Sequence, residues 1–273
     1  MSRSAARPDA ALDALALDAI RAGLGPGGAA LRVELVDACD STNAVLAARA
    51  RAGAPTGTAL ACELQRAGRG RQGARWVSGR GDGLTFSLLW RFERAAGLLT
   101  GLPLVAGVAC ADALAALGAR DVALKWPNDL LRAGAKLGGI LVEAQGDARG
   151  PLAAVVGIGI NVRLPDEARA AIGQPVADLT GVAYGSRSAV LGRLLGALAV
   201  ALARFEREGF APFRAAWQAR HAFQGRRVRL LAPADGEIAG VAAGIADDGA
   251  FLLETDAGLR RFYAGEVSLR AVA

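Results

Sequence analysis

The sequence predicts a mixed α/β domain, with a sheet flanked by helices, followed by a small barrel-like β domain. Between residues 31 and 223, apolar stretches of strand length alternate with longer helical stretches rich in Ala, Leu and Val. After Gly225 the pattern changes to short strands at close spacing, separated by Pro233, Asp235-Gly236 and Asp248-Gly249. We therefore divide the chain into an N-terminal tail and helix (1–30), a larger α/β domain (31–223) and a β domain (224–273).

Local signals predict the individual elements. A helix over about 8–22 ends at a glycine-rich run, and the polar run 40–43 offers N-caps for the next helix. Pro103 lies early in a long apolar helix that Gly118 terminates, and the continuous apolar stretch 152–162 fits a central strand. Further strands are expected at 31–36, 58–64, 84–91, 122–125, 129–132 and 136–143, further helices at 165–171, 187–208 and 210–220, and strands of the β domain at 226–231, 237–245, 251–254 and 259–264.

Composition limits the function classes. A net charge of +6 favours anionic partners, but the arginines are spread along the chain, so a general nucleic-acid coat has little support. Cys39, Cys62 and Cys110 are odd in number and widely spaced, which indicates reduced thiols rather than disulfides or a metal site. His221 is the only histidine, and we expect a structural role for it. Without a signal peptide or an apolar run long enough to span a bilayer, we expect a soluble, cytoplasmic protein.

Only two of the 32 basic residues are lysines, Lys125 and Lys136, and they lie close together. Lys is a compact point charge, suited to a developing negative charge on a carboxylate or phosphate. Genome composition alone also explains the bias, so this observation leaves both interpretations open.

A glycine- and arginine-rich loop, Gly68-Arg69-Gly70-Arg71-Gln72-Gly73, lies between two expected strands. Three glycines allow its backbone N–H groups to turn inward, and the arginines add permanent charge, which together favour an anion site. We expect the loop to be mobile when empty and ordered by an anionic ligand. The alternatives are a solvated surface loop or an Arg-Gly tract that binds RNA.

Five motifs follow one another along the chain: Ser41-Thr42-Asn43; the glycine-arginine loop with Trp76; Lys125-Trp126-Pro127-Asn128-Asp129; Lys136-Leu137-Gly138-Gly139-Ile140-Leu141-Val142-Glu143; and Gly157-Ile158-Gly159-Ile160-Asn161-Val162. In order and spacing they resemble the motifs of biotin protein ligases, from about Leu31 to the C-terminus. The resemblance implies a catalytic domain that binds biotin and ATP, followed by an SH3-like β-barrel.

The resemblance also implies a two-step reaction. The biotin carboxylate attacks the α-phosphate of ATP, supplied as its Mg²⁺ complex, to give biotinyl-5′-AMP and pyrophosphate. A lysine amine of a biotin carboxyl carrier domain then attacks the mixed anhydride and releases AMP. No protein nucleophile is needed, so the protein positions groups and stabilises charge.

Individual residues take roles from the same resemblance. The biotin-binding residues would be Ser41, Thr42, Asn43, Gln65, Arg69, Gly70, Arg71, Lys136 and Gly139. The nucleotide-binding residues would be Gly68, Arg71, Trp76, Asn128, Asp129, Asn161 and Arg270. The catalytic residues would be Lys136, Arg69, Arg71 and Asp129, with no protein-bound metal. The role of Lys125 stays open, Ser41 and Thr42 could instead cap a helix, and Trp76 could be an ordinary core aromatic.

Two departures from the family pattern matter. Many relatives place an aromatic side chain against the adenine, whereas the comparable stretch here, 173–176, has none. Bifunctional relatives begin with a DNA-binding module of three helices, and the residues before Leu31 provide one, so we expect no specific DNA partner.

Two other functions remain as alternatives. A lipoate or octanoyl ligase-type enzyme of similar fold should lack the glycine-arginine loop and the Trp-Pro-Asn-Asp motif. A basic nucleic-acid-binding protein should interleave aromatic side chains with its basic residues, and aromatics are only 5% of this chain. The oligomeric state is open, and an exposed sheet edge could pair two subunits as a homodimer.

Overall fold

A seven-stranded mixed sheet forms the centre of the larger domain in the computed structural model, which describes residues 13–93, 98–146, 151–232, 236–263 and 268–271. Its strands are β1 (Arg32–Cys39), β2 (Thr58–Gln65), β3 (Gly83–Phe92), β4 (Val122–Lys125), β5 (Asp129–Arg132), β6 (Ala135–Gly146) and β7 (Leu152–Asn161). Their order is β1-β2-β3-β7-β6-β5-β4, and only β1 and β2 pair in parallel. The mixed sheet expected from the sequence is confirmed.

Helices cover both faces of this sheet. They are α1 (Leu17–Gly23), α2 (Thr42–Arg51), α3 (Leu98–Ala116), α4 (Asp166–Ile172), α5 (Arg187–Glu208) and α6 (Ala211–Gln218). On one face, α3 and α5 share the main core with Phe86 of β3. On the other face, Leu46 of α2 packs with Leu89 and Val155 in a second, smaller core. The α2 face carries the candidate site.

The central strand β7 is buried at every position, as its continuous apolar stretch predicts. It lies between β3 and β6, with Thr85 opposite Gly159 and Ser87 opposite Gly157. A side chain added at Gly157 would meet Asn43 of α2, so this row of β3 and β7 faces α2. Small and polar residues on that row leave room for a cavity.

The first helix begins at Leu17, so the prediction of a helix from about residue 8 is wrong for 13–16, while 8–12 lie outside the described residues. The backbone of 13–16 instead bonds to the buried side chain of Arg187 and to the carboxylate of Glu63. These two side chains form an ion pair of 2.9 Å. Tertiary hydrogen bonds therefore replace the helical ones that local sequence favours.

Helix α5 corrects a second expectation. By length and composition it could cross a membrane, although the sequence analysis found no such segment. Most of this helix is buried, because Leu191, Leu195, Leu198 and Leu202 lie in the main core. It is thus packed as a core helix of the larger domain.

The C-terminal region forms a five-stranded antiparallel sheet over its described residues. The strands are β8 (Arg227–Ala232), β9 (Gly236–Ile245), β10 (Phe251–Thr255), β11 (Gly258–Phe262) and β12 (Ser268–Ala271), in the order β11-β10-β9-β8-β12. A small antiparallel β domain is confirmed. The sequence analysis did not predict β12, because four residues without clear alternation give a weak strand signal.

An aromatic cluster joins the two domains. Trp126 is fully buried, lies 5.3 Å from Phe251 of β10 between ring centroids, and donates from Nε1 to the Gly249 carbonyl at 3.3 Å. His221 packs against Trp217 at 4.7 Å and edge-on against Phe251 at 5.9 Å. The motif loop that contains Trp126 is therefore anchored on the small domain, and His221 has a structural position.

Candidate active site

A cavity of about 760 Å³ opens on the α2 face of the sheet, a size typical of small-molecule sites. All five sequence motifs contribute to its wall. The structure brings together these residues singled out in the sequence: Ser41, Thr42, Asn43, Gln65, Arg69, Gly70, Arg71, Trp76, Asn128, Asp129, Lys136, Gly139 and Asn161. Gly68 does not line the cavity, and the side chain of Arg270 lies outside the described residues.

Glycines form the floor of the cavity. A Cβ atom at Gly159 would overlap the Trp76 ring, and one at Gly139 would lie 3.5 Å from the same ring. A Cβ atom at Gly157 would overlap the amide of Asn43. The missing side chains therefore make room for Trp76 and Asn43 as well as for a ligand, and Trp76 belongs to the floor of the site.

A polar corner lies where α2 begins. Ser41 is the N-cap of α2 and accepts a long hydrogen bond of 3.4 Å from the Ala44 N–H. The Thr42 N–H donates to Gln65 Oε1 at 2.7 Å. Helix capping and cavity lining are compatible here, because Ser41 caps α2 and both Ser41 and Thr42 line the cavity.

A buried hydrogen-bond network supports this corner. Ser87, fully buried on β3, lies 2.7 Å from Thr42 Oγ1 and 2.6 Å from Asn43 Oδ1. Asn43 Nδ2 donates to the Leu141 carbonyl at 3.2 Å and to Glu143 Oε2 at 2.8 Å. Both hydrogens of the Asn43 amide are thus used within the protein, which gives Asn43 a supporting position beside the cavity.

The glycine-arginine loop folds as a tight hairpin over the cavity. Its backbone closes through Trp76 N–H to the Gly68 carbonyl at 2.9 Å and Gly70 N–H to the Ala74 carbonyl at 2.6 Å. A Cβ atom at Gly68 would lie 2.6 Å from the Trp76 carbonyl oxygen, so only glycine fits there. At the tip, Gln72 has a positive φ of 54°. Gly68 therefore shapes the hairpin from outside the cavity wall.

The arginines of this loop point in different directions. Arg69 Nη2 binds both oxygens of Glu143, at 3.0 and 3.1 Å, on the rim of the sheet. Arg71 turns inward, where its Nη1 donates to Asn128 Oδ1 at 3.3 Å. Burial lowers the pKa of Arg71, while the negative charge of Asp129 acts in the opposite direction. Arg71 is thus the loop arginine placed nearest the centre of the cavity.

Both lysines of the chain meet at one carboxylate. Lys136 Nζ lies 2.7 Å from Asp129 Oδ1, and Lys125 Nζ lies 3.5 Å from Asp129 Oδ2. All three side chains are mostly buried and line the cavity. The two lysines, which lie close together in the sequence, therefore also lie close together in the structure. Lys125, whose role the sequence left open, belongs to this charge cluster.

Two asparagines hold the strands that carry the cluster. Asn128 Nδ2 donates to the Ile140 carbonyl at 2.9 Å, joining the loop before β5 to β6. Asn161 Nδ2 donates to the carbonyls of Lys136 and Ala177, at 3.2 and 3.0 Å. Asn161 thus fixes the backbone of Lys136 against the segment that follows α4.

The far end of the cavity is aliphatic. Ala171, Ile172 and Val176 line it from the segment around α4, and Leu269 lines it from β12 of the small domain. The stretch 173–176 contributes Gln174 and Val176 to the cavity wall. Leu269 was not predicted, because nothing in the local sequence reveals which strand of the small domain reaches the cavity.

Sequence reasoning missed one supporting residue, Ser87, and quoted another, Glu143, in a motif without giving it a role. Alternation along β6 places Glu143 on the face of Gly139, and alternation along β3 places Ser87 on the face of Thr85. That signal was available in the sequence. The face that carries the cavity was not, because it depends on where α2 packs.

Comparison with known proteins agrees with this geometry. The model of the biotin/lipoate A/B protein ligase family matches residues 35–161, and that of the biotin protein ligase C terminal domain matches 223–270. The bifunctional ligase/repressor BirA of Escherichia coli is 38% identical over 240 residues, which are 88% of this chain and 74% of that protein. The biotin–[acetyl-CoA-carboxylase] ligase of Paracoccus denitrificans is 37% identical over 84% of this chain and 96% of that protein.

A solved structure is similar as well. The biotin protein ligase of Aquifex aeolicus, determined in complex with biotin and ATP, has a TM-score of 0.75 and 31% sequence identity. The match covers 88% of this chain and 99% of that one. Fold, site and both domain matches lead to one conclusion: this chain is an enzyme of the biotin protein ligase family.

Proposed function

We propose that this ligase activates biotin as biotinyl-5′-AMP and transfers it to a lysine of a biotin carboxyl carrier domain. The observation that carries the proposal is the charge cluster of Lys125, Asp129 and Lys136 beside Arg71. It lies in one cavity with the polar corner of α2 and the aliphatic end near Leu269. Such a cavity can hold a polar ring, a developing mixed anhydride and a nucleotide base in line. Residues 31–223 would bind both substrates, and 224–273 would complete the nucleotide end.

Hydrogen counting supports an orientation for the ureido ring of biotin. The hydroxyl of Ser87 has one hydrogen, which Asn43 Oδ1 at 2.6 Å must accept. Thr42 Oγ1 lies 2.7 Å from Ser87 Oγ and 3.1 Å from Gln65 Oε1, either of which can accept its one hydrogen, so a lone pair of Thr42 Oγ1 remains for a ligand. Thr42 would accept from a ureido N–H, Ser41 would donate to the ureido carbonyl, and Gln65 would border the ring.

In the first step, a biotin carboxylate oxygen attacks the α-phosphorus of ATP. The bond from that phosphorus to the bridging oxygen breaks, and pyrophosphate leaves. Lys136 and Arg71 would stabilise the charge on the carboxylate and the phosphoryl oxygens, with Lys125 adding positive charge. Mg²⁺ bound with ATP would neutralise charge on the pyrophosphate leaving group, and we expect substrate oxygens and water to hold most of its coordination positions.

In the second step, the carrier lysine attacks the acyl carbon of biotinyl-5′-AMP. The C–O bond to AMP breaks, and the amine loses a proton as the amide forms. Asp129, which lies 2.7 Å from Lys136 Nζ and 3.5 Å from Lys125 Nζ, would orient this amine or accept its proton.

Binding of adenine would depend on aliphatic contacts. Ile172, Val176 and Leu269 offer apolar surface at the far end of the cavity, and Gln174 offers a polar side chain at its edge. Asn161 would act by holding Lys136, and Trp76 by covering the glycine floor between the two substrates. The remaining predictions from the sequence complete the proposal: a cytoplasmic enzyme, a homodimer as one possible assembly, and no specific DNA target.

The test is formation of biotinyl-5′-AMP from biotin and MgATP, measured by pyrophosphate release and mass spectrometry. Lys136→Ala should slow this step about a hundredfold or more, because it removes a donor aimed at developing charge. Arg193→Ala, an exposed cation on α5 far from the cavity, should leave the rate unchanged. Undiminished turnover by the Lys136 variant would contradict the proposal. Activation of lipoate in place of biotin would identify the related acyl ligase instead.

A further inference from the structure

Glu143 connects the glycine-arginine loop to the floor of the cavity. It lies on β6, and its two carboxylate oxygens receive Arg69 Nη2 of the loop at 3.0 and 3.1 Å. One of the same oxygens also receives Asn43 Nδ2 of α2 at 2.8 Å. One carboxylate therefore bridges three elements that are far apart in sequence.

The bridge continues into the polar corner. From Asn43 the hydrogen bonds pass to Ser87 at 2.6 Å and from there to Thr42 at 2.7 Å. Ser87 and Asn43 are buried, so the path is shielded from water. The hydroxyl that borders the ureido site and the guanidinium that anchors the loop thus belong to one connected network.

The loop has other anchors as well. Trp76 lies on Gly159, and Arg71 reaches Asn128 at 3.3 Å. The ion pair of Arg69 with Glu143 ties the loop to β6. Its loss would therefore shift the balance between a closed and an open loop.

We propose that Glu143 is a positioning residue, which holds the loop closed over bound biotin by retaining Arg69 and is coupled to the ureido site through Asn43 and Ser87. The inference rests on the proposed function, because it takes biotin as the occupant of the polar corner. It gives Arg69 a role as loop anchor, which differs from the direct contact with the biotin carboxylate expected from the sequence.

The decisive variant is Glu143→Gln. Glutamine keeps an oxygen that can accept from Asn43, but it removes the charge that retains Arg69. Because the pair is partly exposed, we expect the KM for biotin to rise about threefold to tenfold, with kcat at saturating biotin nearly unchanged. A residue that only supports the fold would lower kcat and thermal stability together.

The matched control is Glu34→Gln. Glu34 forms a surface ion pair with Arg49 at 2.8 Å, and the two side chains are exposed to a similar degree as those of Glu143 and Arg69. This pair joins β1 to α2 and has no contact with the loop. The control should therefore change neither the KM for biotin nor the behaviour of the loop.

Trypsin provides an independent measurement, because the loop carries cleavage sites at Arg69, Arg71 and Arg75. In the unsubstituted full-length protein, biotin should slow cleavage in the loop. In Glu143→Gln at the same biotin concentration, cleavage should be about threefold to tenfold faster than in Glu34→Gln. Adding Glu143→Gln to Arg69→Gln should have no further effect, since the partner is already absent.

Each outcome has one meaning. If Glu143→Gln and Glu34→Gln match in KM and in cleavage rate, the inference is overturned while the proposed function stands. The same holds if the effect of Glu143→Gln persists undiminished in the Arg69→Gln background. If biotin neither binds nor protects the unsubstituted protein, the proposed function fails first and the inference fails with it.

Discussion

At the scale of single residues, the site is organised by one carboxylate. Asp129 lies within ion-pair distance of Lys136 and Lys125, the only two lysines of the chain. Arginine could supply charge but not the same compact geometry, because its planar guanidinium needs more room and directs its donors along fixed lines. The retention of two lysines in an arginine-rich chain therefore has a physical reason at this site.

Replacing Asp129 by Asn should release both ammonium groups. A neutral amide attracts each of them less strongly, so Lys136 loses the contact that fixes its position. We expect both half-reactions to slow by about tenfold to a hundredfold, measured by pyrophosphate release and by biotin transfer to a carrier domain. The control is Asp121→Asn, which affects an ion pair with Arg132 outside the cavity. It should leave the rates of both half-reactions unchanged. Equal rates in the two variants would contradict this role for Asp129.

At the scale of elements, the floor depends on glycines in adjacent strands. Gly139 of β6 and Gly159 of β7 are paired, and both lie under the ring of Trp76. The sheet thus gains a flat area that a side chain of any size would fill. The hairpin above can approach the sheet only because these positions lack Cβ atoms.

Gly159→Ala should displace Trp76 and weaken biotin binding. The added methyl group would overlap the indole ring, and crowding of this kind costs about 1–3 kcal/mol. We expect a lower melting temperature and a higher KM for biotin, from calorimetry and steady-state kinetics. Gly107→Ala in α3 meets Leu124 at an ordinary 3.4 Å, so the same substitution there should be tolerated. An unchanged KM in the Gly159 variant would show that the indole is not needed above the floor.

The sequence predicted most elements because local patterns decide them. Caps and apolar periodicity located α2, α3 and the seven strands to within a few residues. The start of α1 was wrong, because Arg187 and Glu63, distant in sequence, bind that backbone. Ser87 was missed and Glu143 was given no role for a related reason, since their partners lie on other elements. Local patterns cannot reveal which face of the sheet those elements cover.

At the scale of the whole molecule, the small domain takes part in the site. Leu269 lines the cavity, and Gly249 and Phe251 hold Trp126, which lies between Lys125 and the loop of Asn128. The hydrogen bond from Leu124 N–H to the Arg220 carbonyl, 2.7 Å, fastens the end of β4 to the segment that enters the small domain. Stability of this junction and geometry of the charge cluster are therefore linked.

The junction should make stability depend on pH. Burial lowers the pKa of His221 below its ordinary value of 6.5, and a hydrogen bond with Gln224 opposes this only in part. Below pH 6.5 the unfolded chain binds a proton that the folded protein does not, so stability falls as the pH falls. The loss is at most about 1.4 kcal/mol per pH unit. This loss of stability ends once the pH is below the pKa of His221 in the folded protein.

Urea denaturation between pH 6.5 and 5 would measure this loss, and His221→Phe should remove it. The chain has no other histidine to titrate in that range. Asp37, Asp178 and Asp248, whose carboxyl pKa values are lowered below 3.8, lose their contribution only at lower pH. If the free energy of unfolding of the His221 variant still falls with pH, another group is responsible for the effect.

Trp76 also gives the enzyme a built-in optical probe. Its indole lies half-buried on the glycine floor, whereas Trp126 and Trp217 are enclosed in the junction between the domains. Emission from an indole responds to the water around it, and a vitamin seated in this cavity would expel that water. Trp90 is partly exposed as well, but it lies on the α5 face of the sheet, where its Nε1 donates to Glu206 Oε2 at 3.2 Å. Trp76 is thus the partly exposed chromophore that lies in the cavity.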